Sequence, residues 1–295
     1  MGEIYSFFDY FKYLDNPMGC LLFKAGFKKE ITVKSKDFTQ LITIKNPFSL
    51  NRLMNAFVCG VNDYDGLINF IYEIESAKEI IDWGDIKIHN QFNLPIGSFY
   101  ERFHEGYWDS FGINFNGRVV IDVGSNAGDS TLFFASNGAE VFAFEPVIEL
   151  HELALKNASL NDNLKDKVHF FNCAVSNKRG KINIDLMDST SVYTSSVNQK
   201  HFYDVDVITI ADILREYNVK PDILKMDCEG CEFGIIEGSN LSMFSDIIFE
   251  HHSKMVKKDY NSLVKKLESE GFKIKKYDSF GFDFEDMGFI HAYKY

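Results

Sequence analysis

The alternation of apolar and polar positions changes character near residue 115. Downstream, short β-rich runs alternate with amphipathic stretches, which is typical of a parallel sheet with helices on its faces. The β-rich runs predict strands at Arg118–Val123, Glu140–Phe144, Val168–Val175, Lys181–Leu186, Asp222–Asp227 and Asp246–His251. The amphipathic stretches predict helices over Asp129–Asn137, from Pro146 to about Leu160, and over Asp259–Gly271.

Two further β-rich runs follow near the end of the chain, with no helical pattern between them. They cover Lys273–Tyr277 and Gly288–Tyr293 and predict an antiparallel hairpin. A mostly parallel sheet with an antiparallel last strand resembles the layout of class I methyltransferases. The fold class we expect is therefore α/β, a Rossmann-like seven-stranded sheet of that kind.

The upstream part has a different organisation. Glu30–Lys45 holds two alternating runs around a polar centre and predicts a hairpin, and Asn46–Gly60 has apolar residues at helical spacing. Short strands are predicted at Leu67–Glu73 and Ile86–His89. The chain accordingly divides into an N-terminal α+β extension, residues 1–115, and a cofactor-binding domain, residues 116–295.

Composition and charge narrow the class of protein. The chain has 295 residues, 45% of them hydrophobic, and a net charge of -12. Such a surface repels phosphate backbones, so a nucleic-acid partner is disfavoured, although a local basic groove that binds nucleic acid stays an alternative.

The five cysteines are an odd number and favour a reducing compartment over a disulfide framework. No stretch of about 18 uncharged apolar residues occurs, so we expect a cytoplasmic protein without a membrane span.

A glycine-rich turn follows the first strand of the downstream domain. The stretch Val120–Ser130 reads VIDVGSNAGDS, with glycines at Gly124 and Gly128. In open α/β sheets the ligand lies beyond the carboxyl ends of the strands, and these glycines allow a close approach of backbone amides to it. Asp129 and Ser130 are placed either to bind this ligand or to cap the following helix. Both readings stay open here.

An acid ends the second strand, where a ribose would lie. Glu145 follows Gly124 by about 20 residues, the spacing of an acid that binds ribose hydroxyls. This spacing serves nicotinamide enzymes and S-adenosylmethionine enzymes alike. However, Asn126 and Asp129 occupy the two later glycine positions of the dinucleotide pattern G-x-G-x-x-G, which disfavours a nicotinamide cofactor. The form D-V-G-S-N-A-G instead resembles motif I of S-adenosylmethionine-dependent methyltransferases.

The sequence DILKMDCEGCEFGIIEG resembles the K-x-D-x-E-G-x-E signature of FkbM-type methyltransferases. The matching residues are Lys225, Asp227, Glu229, Gly230 and Glu232. With IDVGSN, AFEP and DIIFEH, the resemblance spans about residues 118–255, and Cys231 departs from the small aliphatic residue that is usual in the family. It implies S-adenosylmethionine as methyl donor and, most often, an O-methyl product on a small metabolite or a glycan sugar.

The turn, Glu145 and the resemblance together predict the cofactor site. Asn172 and Ala174 are expected to contact adenine, and Asp122 the methionine ammonium group, directly or through water. The complete predicted set is Asp122, Gly124, Ser125, Asn126, Gly128, Asp129, Ser130, Glu145, Pro146, Asn172, Ala174 and Asp227.

The chemistry is assigned to the end of the fourth strand of the sheet. Asp227 is the first candidate for positioning the acceptor or removing its proton, with Glu229 and His251 as further catalytic residues. These groups, with Glu232 and Glu250, could also hold a divalent cation such as Mg²⁺. Alternatively, the acids pair with Lys225 or cap the following helix. We commit to no metal site.

Neighbouring residues on a strand face opposite sides. At most one of His251 and His252 therefore points at the site, and the other is expected at the surface.

Several features stay ambiguous in the sequence. Cys228 and Cys231 have C-x-x-C spacing, but no second such pair or histidine pair accompanies them, so both are expected to be inert. The aromatic stretch Phe99–Trp108, which includes His104, forms an acceptor lid or, as we favour, packs the extension on the sheet. The polar run Asp188–Gln199 either contacts the acceptor or is an ordinary loop.

Two functions from other classes remain as alternatives to a methyltransferase. They are an NAD-dependent oxidoreductase and a non-catalytic nucleoside-binding or scaffold protein. The sequence leaves the acceptor and the oligomeric state undetermined.

Overall fold

The computed structural model describes residues 6–34, 41–45, 47, 49–51, 53–54, 71, 75, 79–83, 86–89, 108–185, 202–278 and 283–295. The chain divides into two compact units. One comprises Met1–Ile81 with His89–Tyr107, and the other comprises Asp82–Ile88 with Trp108–Tyr295. The boundary after residue 115 stays a prediction.

The first unit begins with two short helices and a hairpin. Their bounds are Phe7–Tyr13 for α1, Pro17–Lys24 for α2, Ile31–Val33 for β1 and Ile42–Ile44 for β2. The Asn16 side chain caps α2 by accepting from the Gly19 N–H. Strands β1 and β2 pair antiparallel, which confirms the predicted hairpin.

The described residues that follow are partly helical. Positions 47, 49–51 and 53–54 are helical, and Leu50, Leu53 and Met54 are fully buried, in agreement with the predicted helix. The strand predicted at Leu67–Glu73 is wrong at Ile71, which is helical, and its other residues lie outside the described ones. Strands β3 (Ile80–Trp83) and β4 (Ile86–His89) form a two-stranded sheet.

The second unit holds the remaining elements. Its strands are β5 (Val119–Val123), β6 (Glu140–Phe144), β7 (Val168–Phe171), β8 (Ala174–Val175), β9 (Gly180–Asp185), β10 (Phe202–Ile208), β11 (Ile223–Met226), β12 (Asp246–His251), β13 (Lys273–Asp278) and β14 (Gly288–Tyr293). Its helices are α3 (Asp129–Ser136), α4 (Ile148–Ser159), α5 (Ile210–Glu216), α6 (Cys231–Gly238), α7 (Ser253–Val256) and α8 (Asn261–Ser269). Short 3₁₀ turns lie at Asp109–Phe111 and Lys165–Lys167.

Seven strands form the main sheet in the order β13-β14-β12-β11-β5-β6-β7. Neighbours from β12 to β7 pair parallel, and β14 lies antiparallel between β12 and β13. This confirms the predicted Rossmann-like α/β sheet with an antiparallel last strand. All four residues of the central strand β11 are buried, as is expected where helices cover both faces of a parallel sheet. The carboxyl ends of β5, β6, β11 and β12 consequently share one edge.

A second sheet of three strands has the order β8-β10-β9. The prediction of one continuous strand over Val168–Val175 is wrong, because the chain leaves the main sheet after Phe171 and pairs Ala174 and Val175 with β10 instead. Strand β9 confirms the run predicted at Lys181–Leu186 to within one residue, whereas β10 and α5 were not predicted.

Helix α3 is buried almost all round, with only its last residue outside the core. Phe134 on this helix packs on Trp108 and Phe115 at ring-centroid distances of 4.8 Å in both cases. Trp108 is the one residue of the stretch Phe99–Trp108 that lies inside the described part, so the choice between lid and packing stays open. The run Asp188–Gln199 lies outside the described residues.

None of the helices in the described ranges is long and apolar enough to cross a membrane.

A buried carboxylate connects elements at the other end of the main sheet, where β5 and β12 begin. Asp246, at the start of β12, accepts from Arg118 at 2.8 Å, from His291 Nε2 at 2.9 Å and from the Tyr295 hydroxyl. Burial alone would raise the pKa of Asp246, but these donors outweigh it and hold the pKa at about 2. The ionised carboxylate therefore joins β12, β14 and the residue before β5.

Removing this carboxylate should destabilise the sheet. We expect Asp246→Ala to lower the free energy of unfolding by about 3 kcal/mol at neutral pH, because it leaves the Arg118 charge unpaired. Since the folded pKa is depressed, this contribution is present above the unfolded value of 3.8 and is lost as pH falls towards 2. Urea titrations at several pH values measure it. Asp206→Ala, at an exposed pair with Lys181, is the control and should cost under about 0.5 kcal/mol; equal losses in both variants would contradict the prediction.

Candidate active site

The turn after β5 touches the end of β11. Gly124 has a φ of +75°, and its N–H and that of Ser125 both donate to the Phe144 carbonyl, at 2.9 and 3.2 Å. A Cβ at Gly124 would lie 2.0 Å from the Asp227 carbonyl oxygen. Only glycine fits this position, since both the backbone angle and the space exclude a side chain.

Helix α3 begins without a side-chain cap. Its N-cap is Gly128, with a φ of +85°, and a Cβ there would lie 3.3 Å from Ala154 Cβ. The Ser130 hydroxyl donates to Asp122 at 2.6 Å. Asp129 and Ser130 are therefore the first two residues of the helix, not its N-cap, and both are buried.

A buried ion pair joins β5 to β11. Lys225 Nζ lies 2.9 Å from Asp122 Oδ1 and donates to the Gly124 carbonyl at 2.7 Å, with both side chains at most 2% exposed. Asp122 Oδ2 accepts from the hydroxyls of Ser130 and Thr131. Asp122 Oδ2 thus has two internal donors, whereas Oδ1 is held by the ion pair with Lys225, and a contact of this carboxylate with a cofactor amine stays a prediction. Lys225 pairs with this aspartate, not with the acids after β11.

Glu145 is held beside the glycine turn by backbone donors. Its Oε2 accepts from the Asn126 N–H at 2.9 Å, and its Oε1 accepts from the Val147 N–H at 2.8 Å. Burial raises the pKa of Glu145 to about 7, against these donors. Each carboxylate oxygen retains a second lone pair, so this group can accept from two neighbouring hydroxyls.

The two residues predicted to contact adenine have different surroundings. The Asn172 amide donates to the carbonyls of Glu145 and Pro146, at 2.9 and 3.1 Å, and so ties the end of β7 to the loop after β6. Ala174 is buried with Val205 and Val207 in the second sheet. Asn172 therefore lies next to the predicted ribose acid, and the adenine contacts of both residues stay predictions.

Four acids and one histidine gather around the carboxyl ends of β11 and β12 and the first turn of α6. His252 is 6% exposed, and its ring nitrogens lie 3.4 Å from Glu229, 3.4 Å from Glu232 and 3.6 Å from Glu250. Burial alone would lower the pKa of His252, but the surrounding carboxylates, with Asp227 among them, raise it to about 10. The ring is therefore an imidazolium that offsets part of their negative charge. We call these five residues the acid cluster.

His251 points away from the acid cluster. Its ring stacks on Tyr260 at 4.6 Å and meets the edge of Phe284 at 5.0 Å, and its Nδ1 lies 3.0 Å from the Ser253 hydroxyl. Burial lowers the pKa of His251 to about 4. The structure thus brings Asp227 and Glu229, but not His251, to the site. The expectation that the other histidine lies at the surface is wrong, because His252 is buried in the acid cluster.

The acid cluster contains a possible cation site. Oxygen atoms of Asp227 and Glu250 and a ring nitrogen of His252 lie within 4.8 Å of one another. A metal ion would require the neutral imidazole, whereas the carboxylates favour the charged ring. A divalent cation therefore stays a prediction.

The two cysteines of the signature are joined. Cys228 and Cys231 form a disulfide with their Cα atoms 5.5 Å apart, so the expectation that both are inert is wrong. The Cys228 N–H donates to Glu232 Oε1 at 3.0 Å, which holds this fully buried acid against the same loop. The disulfide therefore lies between the Asp227 and Glu232 positions of the acid cluster.

Comparison with known proteins identifies one family. The family model of the methyltransferase FkbM domain matches residues 122–274, about half of the chain. No curated protein sequence matches the chain.

Several solved structures are similar to the chain. A FkbM methyltransferase from Methylobacillus flagellatus KT has 16% identity and a TM-score of 0.46; the match covers 95% of this chain and 60% of that protein. A SAM-dependent methyltransferase from Agrobacterium tumefaciens has 11% identity and a TM-score of 0.44 over 75% and 72% of the two chains. M. capricolum TrmK, in complex with S-adenosyl-homocysteine, has 12% identity and a TM-score of 0.37 over 61% and 63%.

The two adjacent histidines should have opposite effects on stability. The raised pKa of His252 adds stability below pH 6.5 that is lost as pH rises through about 10, whereas the lowered pKa of His251 adds stability above pH 6.5 that is lost as pH falls to about 4. We expect His252→Gln to remove the alkaline loss, on the order of 2 to 4 kcal/mol, and His251→Gln to remove part of the acid loss.

Urea unfolding at intervals between pH 4 and pH 10 measures both slopes. Each variant is the control for the other. An alkaline slope that survives in His252→Gln would show that His252 is not held as an imidazolium.

Proposed function

Because the chain belongs to the FkbM methyltransferase family, we propose that it transfers the methyl group of S-adenosylmethionine to a hydroxyl group of a sugar, a glycan or a small metabolite. The observation that carries the proposal is the Glu145 carboxylate, fixed by two backbone N–H groups next to the glycine turn of β5. An acid in this position suits the two hydroxyls of a ribose.

The residues at this edge fit such a cofactor. The Ser125 hydroxyl is buried and has no hydrogen-bond partner among the described residues, which leaves a polar atom of the turn for a ligand. The first turn of α3 also directs its backbone N–H groups to this edge. Glu145 and the turn would hold the nucleoside, and Asn172 would hold the loop beside it.

When bound, S-adenosylmethionine supplies a methyl group that is already activated by its sulfonium. The protein must then align the acceptor and exclude water. Asp227 follows β11 directly, its backbone carbonyl packs against Gly124 of the glycine turn, and its carboxylate belongs to the acid cluster. We assign to an Asp227 carboxylate oxygen the positioning of the acceptor hydroxyl and the uptake of its proton.

The acid cluster determines the charge around the proposed position of the methyl acceptor. Four carboxylates face one imidazolium, so the cluster keeps a negative charge when all four are ionised. Such an environment favours neutral acceptors rich in hydroxyl donors and disfavours phosphate groups. It agrees with the net charge of -12, which opposes a nucleic-acid acceptor.

The cofactor is tested by titration calorimetry with S-adenosylmethionine and, separately, with NAD. We expect saturable heat with S-adenosylmethionine alone. Glu145→Ala should weaken this binding by about 1 to 3 kcal/mol, because hydrogen bonds to a charged group are lost. Glu140→Ala, an exposed acid at the start of the strand that precedes Glu145, is the matched control and should leave the affinity unchanged. Unchanged affinity in Glu145→Ala would remove this residue from the site, and saturable heat with NAD would favour an oxidoreductase.

The chemical role of Asp227 is tested by methyl transfer. The chain is incubated with labelled S-adenosylmethionine and a host lysate or a panel of sugars, and methylated products are identified by mass spectrometry. With an acceptor found, Asp227→Asn should lower turnover by about 10²- to 10⁴-fold while the fold, measured by circular dichroism, stays intact.

Glu237→Gln, an exposed acid on α6 that pairs with Lys258, is the control for this variant. Full turnover in Asp227→Asn would reject the proposed role of Asp227. Repeated absence of any methylated product would favour a scaffold protein.

A further inference from the structure

The disulfide closes a short loop inside the acid cluster. Cys228 and Cys231 flank Glu229 and Gly230, and their Cα separation of 5.5 Å lies within the usual range for a disulfide. Both cysteines are half-buried and pack against the hydrophobic core of the second unit. The loop joins β11, which ends before Asp227, to α6.

The backbone inside this loop has an unusual conformation. Glu229 has a φ of +55° and Gly230 a φ of +108°, so two consecutive residues lie in the left-handed region. This region is unfavourable for a residue such as glutamate, and a cross-link around it holds the chain there. A Cβ at Gly230 would lie 2.4 Å from Val256 Cγ1, so the loop also packs on α7, which follows His252.

The other described cysteines differ from this pair. Cys20 and Cys173 are free and buried, and burial raises the pKa of their thiols to about 12 and about 11. Such thiols react slowly, because the thiolate is the reactive form. Among the described cysteines, the half-buried and already bonded pair in the loop is therefore the one suited to thiol–disulfide exchange.

We propose that Cys228 and Cys231 form a reversible dithiol–disulfide pair whose oxidation fixes the loop of the acid cluster in the conformation that supports methyl transfer. This inference rests on the proposed function, since the regulated site is the site of that reaction. The oxidant is a small disulfide of the glutathione class. Two exchange steps break its S–S bond and form the Cys228–Cys231 bond, and the two electrons and two protons of the cysteine thiols end on two glutathione thiols.

The oxidised state couples the loop to the buried acid. In this state the Cys228 N–H donates to Glu232, which in turn lies 3.4 Å from His252. Reduction removes the cross-link, so Glu229 and Gly230 can leave the left-handed region and the Cys228 N–H can move away from Glu232. The Asp227 carbonyl, which lies against Gly124 of the cofactor turn, is next to this segment. Reduction should therefore loosen the acid cluster first and the cofactor turn second.

The test compares the whole chain in two redox states. The protein is equilibrated with reduced or oxidised glutathione, and its free thiols are alkylated and counted by mass spectrometry. With alkylation carried out after unfolding in denaturant, we expect two more labelled cysteines in the reduced state than in the oxidised state, namely Cys228 and Cys231. Reduction should speed the hydrogen exchange of residues 227–238 and weaken S-adenosylmethionine binding by about 5- to 10-fold.

Two variants complete the design. Cys228→Ser/Cys231→Ser should behave as the reduced protein in both buffers, and Cys20→Ala should retain the full redox response. Because the unmodified chain is itself compared in its oxidised and reduced states, the redox proposal is tested even if the double variant folds poorly.

The outcomes separate this inference from the proposed function. Failure to form the disulfide in excess oxidised glutathione, or equal hydrogen exchange of residues 227–238 in both states, would overturn the redox switch. Absence of S-adenosylmethionine binding in both states would overturn the proposed function, whereas hydrogen exchange would still report on the loop. Redox-dependent exchange with unchanged cofactor affinity and turnover would overturn the link between the disulfide and catalysis.

Discussion

The ion pair between Lys225 and Asp122 is the interaction on which the site depends. Both side chains are almost completely removed from water, so neither charge can lose its partner without a large penalty. The lysine also binds the Gly124 carbonyl, and the aspartate binds two hydroxyls of α3. One pair of charges thus fixes two central strands, the glycine turn and the start of the helix. The remaining groups of the edge are positioned relative to this pair.

The carboxyl ends of the strands carry two groups of residues that are held in different ways. On the cofactor side, Glu145 is held by backbone N–H groups and by its neighbours in a packed loop, so its position is set by the fold. On the acceptor side, the acid cluster is held by charge and by a cross-linked loop, and one of its acids, Glu229, is half exposed. This division suits a methyltransferase, because the donor is always the same molecule and the acceptor differs among enzymes.

Much of the fold could be predicted from the sequence, because buried parallel strands have short apolar runs with clear ends. The bounds of β6, β12 and β14 coincide with the predicted runs. The break after Phe171 could not be predicted, since Val168–Val175 is a continuous run and its division depends on pairing with β10, which is distant in sequence. Pairing between distant segments is a tertiary effect that local patterns do not contain.

The prediction of individual site residues has the same limit. Strand alternation correctly predicts that one of the two histidines faces the acids. Alternation also indicates which histidine it is, because Glu250 and His252 are two residues apart and face the same side, whereas His251 faces the other side. The disulfide had only the C-x-x-C spacing as a signal. Whether two such sulfurs bond depends on the left-handed turn at Glu229 and Gly230, which the sequence does not specify.

The position of β14 has a consequence for how the protein is made. This strand is the last of the main sheet in sequence, yet it lies between β12 and β13 instead of at the rim. During synthesis, β12 stays without a neighbour on that side until residues 288–293 have left the ribosome. The segment that contains Glu250 and His252 is therefore completed at a late stage of biosynthesis, and a nascent chain interrupted before that point carries an open strand edge that is prone to association with other chains.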